Sequence, residues 1–484
     1  MPLLVALERR VAAGARARSL FGLGWLFGFV FFLIGMHWVA LLSEVAITVP
    51  WLKYPAWLAA AAYLALYSGL ATLVAGVLAR PAGPRTGAGA ARVPLALAFP
   101  LAYLATEELR ASGELGFPWF QPGYSQHAYV PLIQMASLGS GSLVTLWLLF
   151  LNVAVARAIR GGARGRAALA ALLLVLLPWF WGLRVLQSTG GTPAGPAVAL
   201  VQGNVAGDIK WSGQHQPEIL ARFLDLSGRA VLSRPRPAVI VWPETATGSY
   251  LRKQLDQAIA VSAFAARTGV PVFSGFADFG YDSLGVQRYY NAAALFGPGG
   301  TGPGVYAKRH LVPFGERMPF ERWLPWLGRV ELGQAEWTPG TRPVLFESAA
   351  GPFTCLVCFE AIFPDLARSD VRAGARWLVN VTNDEWFGNG AALGQHAAMA
   401  VFRAVENRVP LARCANTGLT LMADANGRVV GRLPVFEAGV LTLPLPGTPA
   451  SGRPTPYTRF GDWPGLAGGL GLALLALAAA LRSR

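Results

Sequence analysis

The chain of 484 residues is long enough for two or three domains. It is 54% hydrophobic and only 14% charged, which is a membrane composition, although the apolar runs crowd the stretch before Leu186 and the extreme C-terminus. The net charge of +15 is not a nucleic-acid footprint, because the arginines gather in short clusters between apolar spans, and three cysteines are too few for a disulfide framework.

Residues 1–18 are short and basic, with Arg9, Arg10, Arg16 and Arg18, and they lead into an apolar run over 20–42. That run is too long for the core of a signal peptide, and no small-residue cleavage site follows, so it is read as a spanning helix. Further spans are expected at 54–78, 93–109, 130–156 and 167–183, with a last one at 463–481; Glu107 and Glu108 sit near the end of the third. Arg80, Arg85 and Arg92 separate spans two and three, and Arg157, Arg160, Arg164 and Arg166 separate spans four and five. Arg482 and Arg484 close the chain, whereas the alternate connections hold little beyond Lys53 and Arg110. This bias places both termini and the arginine-rich connections in the cytoplasm. Five spans then carry the stretch from Arg184 to Asp462 to the other side of the membrane. The connection over 116–126 is dense in aromatic, Pro and Gly residues and includes Trp119 and Tyr124. It reads either as an interfacial aromatic belt or as a shaped loop on the side of the soluble domain.

From Pro196 the texture changes. Short apolar strands are expected at 199–203, 237–242, 271–275, 291–296, 353–359, 377–381, 410–415 and 419–422. Helices are expected at 216–232, 253–267, 365–373 and 394–407, with a turn at 424–427. The alternation describes an α/β domain of about 250 residues, a normal size for one domain. The expected organisation is a transmembrane bundle over 1–190, an α/β domain over 191–455 and a C-terminal transmembrane helix over 456–484.

Three segments of that domain carry chemistry. Thr354-Cys355-Leu356-Val357-Cys358-Phe359-Glu360 reads as a buried strand that ends in a nucleophile. Val239-Ile240-Val241-Trp242-Pro243-Glu244 is a strand running into a carboxylate, and Tyr306-Ala307-Lys308 presents a lysine. Base, cation and nucleophile, each at the end of a β-type segment, are what thiol acyl transfer needs. Taken singly, each residue has a plainer reading: a small core cysteine, a salt-bridged glutamate, a solvated lysine. Cys355 and Cys358 also form a CxxC, but no second ligand pair exists. On a strand the two thiols would point to opposite faces, so Cys355 is read as core.

The order Glu244, Lys308, Cys358 resembles the Glu-Lys-Cys triad of the nitrilase superfamily, whose fold is an αββα sandwich. Framed by apolar spans on both sides, the chain resembles the bacterial apolipoprotein N-acyltransferases. Matching segments are 116–126, 201–204 with Lys210-Trp211, Trp242-Pro243-Glu244, 310–316 and Cys358-Phe359-Glu360. They continue through Thr382-Asn383-Asp384 with Trp386-Phe387-Gly388, then Asn416-Thr417-Gly418 and Thr455-Pro456-Tyr457. Each is weak alone; their order and spacing carry the resemblance. Two features depart from it. Relatives usually begin two apolar spans earlier, as if the start codon here were misassigned or the chain truncated, and the even difference leaves the orientation unchanged. Phe359 stands where relatives often carry Tyr, which removes one polar contact but leaves the triad.

The resemblance implies a membrane α-helical bundle joined to a nitrilase-like domain outside the cytoplasm, in the periplasm of a bacterial inner-membrane protein. It implies that Cys358 takes an acyl chain from a phospholipid as a thioester and passes it to the N-terminal amine of a diacylglyceryl-cysteine apolipoprotein. Glu244 would move the protons. Lys308, with a backbone N–H near Cys358, would hold each oxyanion and lower the thiol pKa. Glu316 and Glu360 would support them, and Trp119, Tyr124, Trp211 and Trp386 would line substrate. His396, at helical spacing with Met399, Arg403 and Glu406, reads as structural. With five scattered His, no metal site is expected, nor any cofactor, because the ester carries the activation; a monomer is expected. The bundle would raise the effective concentration of acyl chains beside the thiol. The rival readings are a membrane-tethered nitrilase-like amidase, with water as acceptor, and a transporter or sensor with an inactive outer domain.

Overall fold

The computed structural model describes residues 1–43, 49–80, 93–161, 163–189, 194–329, 335–448 and 452–481. Arg85, Arg92, Arg482 and Arg484 of the charge argument lie outside the described residues. The chain forms two compact units: Met1–Ala40, Trp51–Ser188 and Phe460–Arg484 make one, and Leu41–Pro50 with Thr189–Arg459 make the other.

The first unit is helical. Among the described residues, four helices are long and apolar enough to cross a membrane: Ala17–Leu41, Pro50–Leu78, Ala136–Arg160 and Arg164–Ser188. The last leaves Leu172, Leu177 and Phe180 exposed, as a lipid-facing surface requires. Trp463–Ala478 is a shorter apolar helix. Leu95–Ala111, expected as a span, has 17 residues and carries Glu107, Glu108 and Arg110. At 1.5 Å per residue it rises about 26 Å, short of a typical ~30 Å hydrocarbon core. Its charges are not left bare, because Arg110 pairs with Glu107 at 2.5 Å. The helix Pro2–Ala12, not anticipated, buries Leu3, Leu4 and Leu7. Small residues let Ala17–Gly35 approach Lys53–Leu78 closely. A Cβ at Gly24 would stand 2.1 Å from Thr72 Oγ1, and the Thr72 hydroxyl donates across the gap to Leu20 O at 2.9 Å.

The second unit stacks two sheets. Strands β1 (Ala197–Gln202), β2 (Pro237–Val241), β3 (Val272–Tyr281), β4 (Gln287–Gly297) and β5 (Gly300–Ala307) belong to the first. Strands β6 (Phe353–Val357), β7 (Trp377–Thr382), β8 (Leu411–Ala415), β9 (Leu421–Ala423) and β10 (Val429–Arg432) form the second, in the order β10-β9-β8-β7-β6. Strand β11 (Gly439–Pro444) returns to the first sheet, giving β11-β1-β2-β3-β4-β5. The strands β1, β2 and β3 run parallel, as do β6, β7 and β8, and the outer ones are antiparallel.

The period of two sorts the side chains into layers. Val198 and Leu200 of β1 point between the sheets, where they join Val239, Val241, Phe353, Cys355, Val357, Val379 and Val381. Their alternates Ala199 and Val201 face the helices Gln216–Val231 and Leu255–Thr268. On the far side, Leu356, Leu378 and Leu411 pack on Pro364–Arg372 and Ala391–Asn407. The result is an αββα sandwich whose inner strands are buried on both faces, which is why they read as predominantly apolar runs. Strand β6 stops at Val357 rather than at residue 359. Cys358 opens a one-turn 3-10 helix, so the strand alternation invoked for Cys355 and Cys358 does not extend to Cys358.

Candidate active site

The C-terminal ends of β2, β6 and β7 deliver Glu244, Cys358 and Asn383, the end of parallel strands where α/β folds place their chemistry. Lys308 follows β5 directly, and its N–H bonds to Asn291 O in β4 at 2.8 Å. Two backbone turns aim the side chains. Cys358 has φ +48° and Thr245, after the glutamate, φ +43°, both in the left-handed region that costs a non-glycine residue of order 1–3 kcal/mol. Room for the Glu244 turn comes from Gly275, where a Cβ would meet Glu244 Cα at 2.8 Å.

The buried Lys308 ammonium lies 2.8 Å from Glu316 Oε1 and 3.7 Å from Glu244 Oε1. Burial opposes its charge, but Glu316, Glu244 and the neighbouring Cys358 outweigh that and hold its pKa above the ordinary value, so it is a fixed cation. Both oxygens of Glu244 accept hydrogen bonds: Oε1 from Asn291 Nδ2 at 2.7 Å and Oε2 from the Asn383 N–H at 2.8 Å. Its pKa is nevertheless raised, because burial outweighs the Lys308 charge, and a raised carboxylate is a stronger base. Glu316 is tied down by the Val312 N–H at 2.8 Å and Asn291 Nδ2 at 3.2 Å.

Lys308 lowers the Cys358 thiol pKa, in the expected direction, but other groups outweigh it. Cys358 is half-buried, and desolvation together with the negative charge of Glu244 pushes its thiol up from the ordinary value, against Lys308 and a hydrogen bond with Thr382. A thiol raised in this way keeps its proton at neutral pH.

Glu360, fully buried, braces the nucleophile turn. Its Oε1 accepts from the Arg309 N–H at 2.6 Å and the His310 N–H at 3.1 Å, and its Oε2 from the Val357 N–H and the Tyr306 hydroxyl, both at 2.7 Å. One carboxylate thus joins the segment carrying Lys308 to the segment carrying Cys358.

Trp211 and Trp386 are both half-exposed, on the short helical turns Gly207–Trp211 and Asp384–Phe387, and the two turns are bridged where the Gly207 N–H donates to Glu385 Oε1 at 2.6 Å. Trp119 and Tyr124 belong to the helical unit and are interior there, only 2% and 6% exposed, with no open face of the kind Trp211 and Trp386 have. Trp119 packs on Trp38 with ring centroids 5.4 Å apart, and its carbonyl accepts from Arg110 at 2.6 Å. Lys210, quoted in the sequence only as part of the matching Lys210-Trp211 segment and given no role there, is fully buried, and its Nζ donates to Glu244 O at 3.2 Å. Burial lowers its pKa to about 8, against the pull of Glu244 and Glu385. His396, read as structural, has its Nε2 3.0 Å from Cys358 O.

A family model described as carbon-nitrogen hydrolase matches residues 197–447, and one described as apolipoprotein N-acyltransferase N-terminal domain matches residues 1–154. The apolipoprotein N-acyltransferase of Geobacter metallireducens is 35% identical, covering 98% of this chain and 89% of its own. That of Methylococcus capsulatus is 34% identical, covering 100% and 92%, and that of Brucella melitensis 36%, covering 92% and 84%.

Proposed function

The chain belongs to the apolipoprotein N-acyltransferase family, and from that premise we propose that it works in two half-reactions through a thioester on Cys358. It is a membrane acyltransferase of lipoprotein maturation. In the first half-reaction, Glu244 takes the thiol proton as Sγ attacks the acyl ester of a phospholipid. Lys308 and a backbone N–H beside Cys358 hold the tetrahedral oxyanion. The C–O bond breaks, the proton passes from Glu244 to the leaving alkoxide, and a lysophospholipid departs. In the second, the N-terminal amine of a diacylglyceryl-cysteine apolipoprotein attacks the thioester, and Glu244 takes the amine proton. The C–S bond then breaks, an amide forms, and the thiolate recovers its proton.

The observation that supports this reading is the meeting of Glu244, Lys308 and Cys358, from three separate strand ends, around a lysine held charged by two carboxylates. The α/β unit is proposed to lie in the periplasm of an inner-membrane protein, with the arginine-rich connection at Arg157–Arg166 in the cytoplasm. The test is intact mass spectrometry after exposure to phospholipid. A hydroxylamine-labile acyl adduct absent from Cys358→Ala is expected. No adduct with any phospholipid, from a Cys358 that small alkylating agents reach, would sink the reading.

A further inference from the structure

Behind the nucleophile turn runs a buried polar chain that the steps above do not use. His396 Nε2 meets Cys358 O at 3.0 Å. His396 Nδ1 faces Arg413 Nη2 at 3.1 Å and Asp384 Oδ1 at 3.2 Å, and Arg413 Nη2 donates to Asp384 Oδ2 at 2.7 Å. Thr382 Oγ1 donates to Asp384 Oδ1 at 2.8 Å. Arg413 also donates to Asn380 Oδ1, and Asn380 Nδ2 donates back to Leu356 O in β6 at 2.8 Å. His396, Asp384, Arg413, Asn380 and Thr382 are all fully buried.

Donor and acceptor chemistry assigns the proton. A carbonyl oxygen only accepts, so Nε2 carries the hydrogen. Nδ1 lies between the Arg413 guanidinium, which only donates, and the Asp384 carboxylate, which only accepts. The hydrogen on Nε2, facing Cys358 O, is the one this geometry fixes. Burial and the Arg413 charge lower the His396 pKa, against the pull of Asp384.

The Cys358 carbonyl and the Phe359 N–H are two ends of one rigid, planar peptide. A donor locked on the oxygen sets the direction of the N–H and, by polarising the amide, strengthens it as a donor. Glu360 already holds the other side of the turn through the Val357 N–H. The left-handed conformation of Cys358 needs such restraint on both sides.

We infer that His396 is a positioning residue for oxyanion binding: its hydrogen bond to the Cys358 carbonyl orients the Cys358–Phe359 peptide so that the Phe359 N–H joins Lys308 on the oxyanion. The inference rests on the acyl-transfer reading. It separates two reactions of the same sulfur. Acylation by an ester passes through an oxyanion, whereas alkylation by iodoacetamide is a displacement at a saturated carbon and does not.

The test uses the full chain in mixed micelles of detergent and dipalmitoyl phosphatidylglycerol, comparing wild type, His396→Leu and His396→Gln. Each is scored for the rate of acyl-adduct formation and the rate of iodoacetamide alkylation of Cys358. Leucine offers no donor, and the glutamine amide restores an N–H near the Nε2 position. His396→Leu is expected to slow adduct formation roughly 10- to 100-fold, as loss of a buried orienting partner does, with alkylation little changed. His396→Gln is expected to recover most of the loss. Wild-type adduct formation in His396→Leu would overturn the inference. So would a parallel fall in both rates, or a glutamine variant no better than leucine. If wild type alkylates but forms no adduct, the acyl-transfer reading fails and takes this inference with it.

Discussion

Lys308 stands closer to Glu316, at 2.8 Å, than to Glu244, at 3.7 Å. The glutamate that anchors the cation is therefore not the proposed base. Glu316 absorbs the tight ion pair, and Glu244, held by Asn291 and Asn383, keeps the raised affinity for protons that its role requires. A Lys308–Glu244 pair as close as that to Glu316 would weaken both groups, the lysine as proposed oxyanion binder and the glutamate as proposed base.

Glu316→Gln should then release Lys308 toward Glu244. We expect turnover to fall about 10- to 100-fold with the fold intact, since an outer partner is lost rather than a reacting group. Steady-state acyl transfer beside a thermal unfolding curve would check it. A variant with unchanged turnover would show that the closer pairing is idle.

Glu244→Gln should have opposite effects on two reactions of Cys358. The negative charge of Glu244 is one of the causes that raise the thiol pKa, second to desolvation. Removing it lowers that pKa, so at a fixed mildly alkaline pH more thiolate is present and iodoacetamide alkylation should quicken. Acyl transfer should fall at least about 100-fold, because the general base is gone. Parallel loss of both would contradict the neutral-thiol picture.

Lys210→Met should move the acid limb of the rate profile to higher pH. The Lys210 charge helps lower the Glu244 pKa, so removing it lifts that pKa further, and Glu244 is then protonated up to a higher pH. Wild type itself loses the Lys210 proton near its lowered pKa of about 8, so the two profiles should converge above that pH. The dependence of kcat/KM on pH decides the matter; coincident acid limbs would exclude Lys210 from tuning the base.

Glu360→Gln should cost stability as well as activity. Four donors converge on its two oxygens, and an amide NH2 in place of one oxygen strands the pair bound there. Each stranded buried donor costs about 1–3 kcal/mol. A lowered Tm of the full chain in detergent is expected, and an unchanged Tm would mean that the turn is braced elsewhere.

Orientation can be read by labelling. A cysteine at Leu284, 85% exposed in the β3–β4 hairpin, should react with a membrane-impermeant maleimide in intact cells whose outer membrane has been permeabilised. One at Gly161, between Arg160 and Arg164, should react only after the inner membrane is opened. The reverse pattern would invert the proposed topology.

Much of this was legible from the chain. Strands β1, β2, β6, β7 and β8 are buried on both faces and so appear as mostly apolar runs, broken by buried polar residues such as Asn380 and Arg413, and the residues following them, Glu244 and Cys358 above all, are conspicuous where such runs end. Strand β5, Gly-Thr-Gly-Pro-Gly-Val-Tyr-Ala, was legible only at its end, where Tyr306-Ala307 reads as a β-type segment before Lys308. Its glycine-rich first part reads as a loop, and only pairing with β4 makes it a strand. Strand β11 was silent, since its residues are half-exposed and it lies more than 230 residues from its partner β1.

By itself, the sequence determined the α/β class and the membrane character, because these follow from local periodicity and from charges set against apolar runs, and it put forward Glu244, Lys308 and Cys358 as the proposed base, cation and nucleophile. The tertiary structure alone decided which glutamate holds Lys308, whether the resting sulfur keeps its proton, and that His396 touches the nucleophile's own peptide. The physical reason is range. Periodicity is written within ten or so neighbouring residues. A hydrogen bond or a desolvated charge depends on which distant segments the fold brings within about 3–4 Å.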